Sequence, residues 1–318
     1  MMWPSLHFMV LGATYLSVCG YASVESMHVP KHIASGFARR ESQDSGNSIL
    51  QQVREGLLPL VVSSPFVISR LKSPWEFMIV LTGTPRKGRE TVKFRDGMKL
   101  NTRGTLPDYR AILETCIWDL YSRDFGFDCS EELVVIDIGA HIGTFSVSTA
   151  WRFPKSRVYS YEPLKANFDL LRSNTEENRV KSVHPQMVAV AGKRGSATLH
   201  VSKDNTGGHS FFFQGDSDVT VDTISLAEVF STNGLTRCDL LKIDCEGAEY
   251  DILLNVPSSV LGLVRNIVLE YHNFGDLSYV DIADHLKSNG FAVTYVGEPR
   301  PEKNAIGLLR ATNMNWGM

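Results

Sequence analysis

The sequence lacks several features that mark whole classes of protein. Its five cysteines are dispersed and form no C-x-x-C pair, which gives no zinc or thioredoxin-type redox pattern and favours free thiols. Positive charge is not in excess either, because 32 Lys and Arg residues are offset by 35 Asp and Glu residues, a net charge of -3. Since a phosphate backbone is gripped mainly by basic side chains, we expect no nucleic-acid partner.

The N-terminus also lacks charge. Residues 1–24 contain no Lys, Arg, Asp or Glu, and residues 6–22 are largely apolar. The pattern is that of a secretory signal or weak anchor, but no basic residue precedes the apolar run, and a poorly ordered cytosolic tail is the alternative. Membrane association is expected only through these residues, and the localisation stays open between cytoplasm and secretory pathway. The polar, glycine-broken residues 31–52 are predicted to be a linker.

What is present divides the 318 residues into four segments. Residues 1–50 form the N-terminus and linker, 51–130 an extension, 131–310 the main domain and 311–318 a tail. Within the extension, residues 76–81 and 91–95 flank turn-rich sequence and predict a small β element. Apolar positions at helical spacing predict an amphipathic helix over 108–121.

From Leu133 onward, short β-branched runs alternate with helical segments, which predicts βαβ units and an α/β fold with a doubly wound, mostly parallel sheet. The predicted strands are 133–136, 157–161, 186–190, 239–243 and 265–269, and the predicted helices are 142–151, 164–177, 248–254 and 279–288. An antiparallel insertion is expected from 196–201 and 219–223, and a closing hairpin from 291–296 and 305–309.

The first of these strands ends in Val134-Val-Ile-Asp137-Ile-Gly139-Ala-His-Ile-Gly143, a glycine-containing turn before a helix. Glycines at this edge of a parallel sheet let a ligand approach the backbone. The loop lacks the G-x-G-x-x-G spacing of dinucleotide sites, and its acid repels a pyrophosphate but attracts an ammonium. The alternative is that Asp137 caps the amides of its own loop.

One βα unit later, the second strand ends in Glu162-Pro163. A carboxylate there is placed to accept both hydroxyls of a ribose whose other end lies over the glycine loop. Together with Asp137, it describes a nucleoside with a cationic, amino-acid-like substituent. That description fits S-adenosylmethionine.

Further segments carry a family resemblance. Asp239-Leu-Leu-Lys-Ile-Asp-Cys-Glu-Gly-Ala-Glu249, Val221-Asp-Thr-Ile-Ser-Leu and Ile267-Val-Leu-Glu-Tyr-His272 resemble the FkbM family of O-methyltransferases, which belongs to the class I methyltransferases. The resemblance implies a seven-stranded Rossmann-like sheet with the last strand antiparallel, and S-adenosylmethionine as cofactor. It implies a cofactor site that includes Asp137, Gly139, Ala140, His141, Gly143, Glu162 and Pro163. His141 stands where a small polar residue is expected, and we expect its side chain to cap the following helix.

Two residues at strand ends are candidate proton acceptors. Asp244 ends the fourth strand across the cleft from the first, and His272 ends the fifth with an ordinary pKa of ~6.5. Nearby Glu246 and Glu249 open a helix whose N-terminus favours acids. No metal is expected, although a divalent ion on Asp244 and another acid is the alternative. Asn205, His209 and Ser210 lie in a glycine-rich segment, a predicted lid or acceptor loop.

The predicted function is an S-adenosylmethionine-dependent O-methyltransferase that acts on a hydroxyl of a small molecule, sugar, or glycan or lipid acceptor. A nucleic-acid methyltransferase is disfavoured by the charge balance and by the lack of an Asn/Asp-Pro-Pro-aromatic tetrapeptide. Two alternatives remain: a nucleotide- or NAD-binding Rossmann protein, and a non-catalytic binding protein with the methyltransferase fold.

Overall fold

A computed structural model describes residues 65–82, 84, 88–201, 217–273, 275–297, 299, 302 and 305–317. The predicted signal or anchor, the predicted linker and the loop with Asn205, His209 and Ser210 lie outside these residues. Among the described helices, none combines the length and apolar character needed to cross a membrane.

The extension is a small layer of helices and a hairpin. Helix α1 spans Pro74–Leu81, and strands β1 (Glu90–Lys93) and β2 (Lys99–Thr102) pair antiparallel. Helix α2 (Leu106–Ile112) runs directly into a π-helical turn, Leu113–Ile117, and a 3-10 turn follows at Arg123–Phe125. The predicted helix over 108–121 is therefore confirmed in its first part.

The prediction of a strand over 76–81 is wrong, because these residues belong to α1. Pro74 occupies the first turn, where its fixed φ suits a helix and its missing N–H costs nothing. Phe77 and Val80 are buried three residues apart, while Trp75 and Ile79 are exposed on the other face. The sequence shows no helical period here because the residues on both faces of the helix are apolar.

The main domain contains a seven-stranded sheet in the order β5-β4-β3-β9-β10-β12-β11, in which only β12 is antiparallel to its neighbours. Its strands are β3 (Val134–Ile138), β4 (Arg157–Tyr161), β5 (Val183–Gln186), β9 (Leu240–Ile243), β10 (Asn266–His272), β11 (Phe291–Val296) and β12 (Ile306–Asn313). The helices are α3 (Thr144–Arg152), α4 (Lys165–Glu177), α5 (Leu226–Thr232), α6 (Glu249–Asn255), α7 (Ser258–Leu261) and α8 (Tyr279–Ser288). This is the predicted α/β class I methyltransferase fold.

The centre of the sheet is buried on both faces, and its residues are apolar apart from the ion pair of Asp137 and Lys242. Every residue of β3 and of β9 is buried, and each buried aliphatic side chain contributes about 1.5–3 kcal/mol relative to exposure. Strand order reverses between β3 and β9, which makes their carboxyl ends the ligand-binding edge of a doubly wound sheet. The fold thus places the loops after β3, β4 and β9 side by side.

A second sheet interrupts the main one after β5. It contains β6 (Ala189–Ala191), β8 (Ser217–Ser225) and β7 (Gly195–Val201), and β7 pairs antiparallel with β8, as the alternating pattern predicts. β6 joins it in parallel, which the sequence does not indicate.

The cysteines are only partly as expected. Cys116, Cys238 and Cys245 are free thiols, and burial raises the pKa of Cys116 to about 12. Cys129 is disulfide-bonded, which corrects the prediction of free thiols for that residue.

Candidate active site

The loop between β3 and α3 carries left-handed backbone at three of its residues: φ is +76° at Gly139, +50° at His141 and +83° at Gly143. A Cβ on Gly139 would lie 1.7 Å from the carbonyl oxygen of Asp244, and one on Gly143 would lie 2.5 Å from Cδ1 of Leu171 in α4. The glycines were predicted to serve the approach of a ligand. The structure shows a packing reason for glycine at both positions, because the loop lies directly against the end of β9 and against α4.

Glu162, at the end of β4, binds this loop from the side. Its Oε2 accepts a hydrogen bond from the His141 amide at 2.9 Å and its Oε1 accepts one from the Leu164 amide at 2.9 Å. Burial raises the pKa of this carboxyl to about 7, although the amide hydrogen bonds partly offset the shift. Ala140 is buried and Pro163 half-buried beside it.

Asp137 has no exposed surface. Ser146 Oγ donates to its Oδ2 at 2.6 Å, and Nζ of Lys242 lies 3.0 Å from its Oδ1. Burial disfavours the Lys242 ammonium, but Asp137 and Asp244 together raise its pKa above the ordinary value. Asp137 was expected to attract the ammonium of a ligand; in the structure its partner is the buried ammonium of Lys242, which also donates to the Gly139 carbonyl at 3.0 Å.

The expectation that the His141 side chain caps the following helix is wrong, because the N-cap residue of α3 is Gly143. Its Nε2 instead lies 2.8 Å from Nη2 of Arg103, and since a guanidinium has no acceptor, Arg103 donates. Arg103 also donates through Nε and Nη2 to the fully buried Asp108, at 3.1 and 2.5 Å. Neither Arg103 nor Asp108 was predicted from the sequence, because both lie in the extension and carry no local motif.

Asp244 stands on the other side of the loop, where β9 ends. Its amide donates to the Ile138 carbonyl at 3.1 Å, so the ends of β3 and β9 are held together. Its Oδ2 accepts a hydrogen bond from the Tyr121 hydroxyl at 3.2 Å and lies 3.5 Å from Nζ of Lys242. The side chain is 27% exposed, which leaves it accessible to a ligand at the edge of the sheet.

His272 lies between two carboxylates. Its Nδ1 is 3.2 Å from Oε1 of Glu249, and its Nε2 is 3.2 Å from Oε2 of Glu246. Although burial disfavours the imidazolium, these carboxylates raise the pKa of His272 well above its ordinary value. A raised pKa favours the imidazolium, which cannot accept a proton, so it does not support the predicted role of His272 as general base, and that role stays a prediction.

Three further side chains complete this cluster. The Tyr121 hydroxyl lies 3.4 Å from Oε2 of Glu270, a residue of β10. Burial and the nearby Asp244 raise the pKa of Glu270 well above its usual range, and the same causes raise the pKa of Glu114 to about 7. Glu114 and Tyr121 come from the extension and were missed, whereas Glu270 was visible only as part of the resembling segment. Within the described part of the chain, no group of three or more His, Cys, Asp and Glu side chains is arranged to hold a metal ion.

The donor set fits S-adenosylmethionine. The loop after β3 lies between two carboxylates, Glu162 after β4 and Asp244 after β9, the first suited to a ribose diol and the second to a cationic centre. No cluster of basic side chains stands in the described loop for a pyrophosphate. These residues fit a nucleoside that carries positive charge.

Comparison with known proteins agrees with this geometry. Residues 137–293 match the family model described as the methyltransferase FkbM domain. The AMB antimetabolite synthetase AmbE of Pseudomonas aeruginosa is 29% identical over 222 residues, which are 57% of this chain and 10% of AmbE. The 31-O-demethyl-FK506 methyltransferase FkbM of Streptomyces tacrolimicus is 23% identical, over 52% of this chain and 75% of that protein. The hexuronic acid methyltransferase AglP of Haloferax volcanii is 25% identical, over 46% of this chain and 58% of AglP.

The family model runs from the end of β3 to the start of β11 and includes the loop, Glu162, Asp244 and His272. Its members are methyltransferases that use S-adenosylmethionine, which is therefore the cofactor of this domain. The seven-stranded sheet with its single antiparallel strand has the topology that such a domain requires. Residues 137–293 belong to the FkbM family of S-adenosylmethionine-dependent methyltransferases.

Proposed function

We propose that this protein is an O-methyltransferase that acts on a hydroxyl of a small, uncharged acceptor such as a sugar or another hydroxylated metabolite. The observation that carries the proposal is the position of Asp244: a partly exposed carboxylate, in contact with the cofactor loop through Gly139, at the carboxyl ends of the two central strands. When bound, S-adenosylmethionine supplies an activated methyl group on a sulfonium.

A hydroxyl is a weak nucleophile and becomes a better one when its proton is accepted by a base. Asp244 is the proposed base, because it is a carboxylate at this edge whose remaining capacity to accept a hydrogen bond is accessible. Glu162 is proposed to accept the ribose hydroxyls, and Asp137 to act indirectly, by holding Lys242 and through it the Gly139 carbonyl. Much of the rate acceleration then comes from alignment of the acceptor oxygen.

The charge of the site supports an uncharged acceptor. Asp244, Glu246 and Glu270 are each between 26% and 29% exposed, so acidic side chains line the edge where an acceptor would bind. A carboxylated or phosphorylated acceptor is repelled there. Two relatives are named for O-methylation of FK506 and for a hexuronic acid, and the second makes a direct contrast testable.

The test measures release of S-adenosylhomocysteine with a panel of acceptors, in which each neutral methyl hexoside is paired with its uronic acid. We expect turnover with neutral members and little with their acidic partners. Asp244→Asn keeps the shape of the side chain and should lower turnover about 100-fold or more, the usual contribution of a general base. Asp284→Asn, which changes an exposed aspartate of α8, is the matched control.

Cofactor binding by Asp244→Asn, measured by calorimetry with S-adenosylhomocysteine, should stay within a few-fold of the wild type. Wild-type turnover in Asp244→Asn would remove Asp244 as the base. Turnover with uronic acids only would contradict the proposed acceptor class.

A further inference from the structure

Tyr121 is not part of the segment that defines the family, since the family model begins at residue 137. It follows the π-helical turn of the extension, yet its hydroxyl reaches the acceptor side of the sheet edge. There it lies between two carboxylates, 3.2 Å from Oδ2 of Asp244 and 3.4 Å from Oε2 of Glu270. A phenol has one proton to donate, so it can donate to only one of the two carboxylates at a time.

The ring of Tyr121 is held firmly. The residue is 2% exposed, its ring packs edge-on against Phe145 at 5.9 Å between centroids, and Nζ of Lys242 lies 5.4 Å from its centroid. Burial, followed by the charges of Asp244 and Glu270, raises the pKa of Tyr121 well above 10. The hydroxyl therefore remains a donor throughout the neutral range.

Tyr121 lies where it can influence which of Asp244 and Glu270 is ionised. Two carboxylates at close range do not ionise independently, and one proton tends to be shared between them. The other charged groups that face this pair are Lys242 on the strand before Asp244, Asp137 against the same ammonium, Arg110 and Glu114 of the extension, and Glu246, Glu249 and His272 from the neighbouring segments. With six carboxylates and three cations, the cluster is expected to retain a proton, and the location of that proton decides whether Asp244 is available as a base.

We propose that Tyr121 is a positioning residue for Asp244: its hydroxyl separates Asp244 from Glu270, donates to Asp244 and keeps the retained proton on the Glu270 side. This inference rests on the proposed function, because it assigns a role through the proposed base. It also makes the extension part of the active site. Asp244 is then the ionised member of the pair, and Glu270 the member that carries the proton.

The test follows the carboxyl groups directly. Protein labelled with 13C at the Asp and Glu carboxyls is titrated by NMR in the presence of S-adenosylhomocysteine, and the Asp244 and Glu270 signals are assigned by their loss in Asp244→Asn and Glu270→Gln. In Tyr121→Phe, which keeps the ring, we expect the midpoint of Asp244 ionisation to move upward by about 0.5–1 pH unit, the scale of one hydrogen bond. Tyr109→Phe removes a buried phenol elsewhere in the extension and should leave the midpoint unchanged.

Glu270→Gln distinguishes two explanations for a shift in Tyr121→Phe: competition between Asp244 and Glu270 for one proton, and loss of the hydrogen bond from Tyr121 to Asp244. Alone, it should move the Asp244 midpoint little, because the proposal places a proton on Glu270, so no like charge is removed while Asp244 ionises. When Tyr121→Phe is combined with Glu270→Gln, it should move the midpoint by less than half as much as it does alone. An unchanged midpoint in Tyr121→Phe, or an equally large change with and without Glu270→Gln, would overturn the proposal.

Activity supplies a second readout, with the neutral acceptor that gives the highest turnover in the panel. The acidic limb of kcat in Tyr121→Phe should move to higher pH, with KM for S-adenosylmethionine changed less than twofold, whereas a structural defect would lower kcat at all pH values. If Asp244→Asn retains turnover, the proposed base is wrong, and the NMR titration still decides the role of Tyr121. If Asp244→Asn is inactive and the Tyr121→Phe profile matches the wild type, only the present inference fails.

Discussion

The two sides of the loop after β3 differ in how their charges are arranged. On the side proposed for the cofactor, Arg103 pairs with Asp108 and donates to His141, while Glu162 accepts backbone amides. On the side proposed for the acceptor, the acidic side chains of Asp244, Glu246 and Glu270 outnumber the nearby cations and remain partly exposed. Hydrogen bonds and an ion pair fix the first side, and the second has the acidic groups that the proposed proton transfer needs.

The largest loss of stability is expected when the cation that links the extension to the loop after β3 is removed. Arg103→Ala leaves the fully buried Asp108 without its guanidinium partner, and loss of one member of a buried pair costs about 3–5 kcal/mol. We expect that loss in the free energy of unfolding, measured with urea. Lys99→Ala, which removes an exposed pair with Glu177, should cost less than about 1 kcal/mol. Equal costs would show that the extension does not support this loop.

A second test concerns the ligand itself. Glu162→Ala should weaken binding of S-adenosylhomocysteine by about 1.5–3 kcal/mol, the value of hydrogen bonds to a charged group, as measured by calorimetry. Glu176→Ala, an exposed residue of α4, is the control and should bind normally. A folded Glu162→Ala protein with wild-type affinity would show that Glu162 serves only the loop amides.

The smallest expected effect is a dependence of stability on pH. The pKa of Glu162 is about 7 in the folded protein and near 4.5 in the unfolded chain, so the folded state binds this proton more tightly. The resulting stabilisation is complete below about pH 4.5 and is lost as the pH rises to about 7. The Tm of the ligand-free wild type relative to Glu162→Gln should therefore fall by roughly 3 °C or more between pH 5 and 7. The raised pKa of Glu114 is common to both proteins and cancels in the difference. A constant difference would contradict the burial of an ionised Glu162.

The sequence predicts the main domain better than the extension for a physical reason. β3 and β9 are buried throughout and β4 is buried after its first residue, and their short runs of β-branched and other apolar residues without regular polar alternation are distinctive. In the extension, α1 buries only one face but is apolar on both, so its period does not appear in the sequence.

The candidate site divides in the same way. Asp137, Glu162 and Asp244 stand at strand ends, where chain position alone predicts an edge of the sheet. The partners of these acids do not follow from chain position. Lys242 of the neighbouring strand β9 pairs with Asp137, and Tyr121, 123 residues earlier in the chain, donates a hydrogen bond to Asp244. The ordinary pKa of histidine is a poor guide to His272, because Glu246 and Glu249, which contact its ring, follow a different strand.

The π-helical turn at Leu113–Ile117 determines the direction in which the chain leaves α2. Its signature is the hydrogen bond from the Trp118 amide to the Leu113 carbonyl, which at 2.9 Å closes a turn one residue wider than an α-helical one. Each residue of an α-helix advances the direction of a side chain by about 100°. Deleting one residue from this turn would let the helix become regular and would rotate everything after it by about that angle. Tyr121 would then point away from the sheet edge, although the helix itself would still form. The π-helical turn therefore fixes the orientation that brings a side chain of the extension to Asp244.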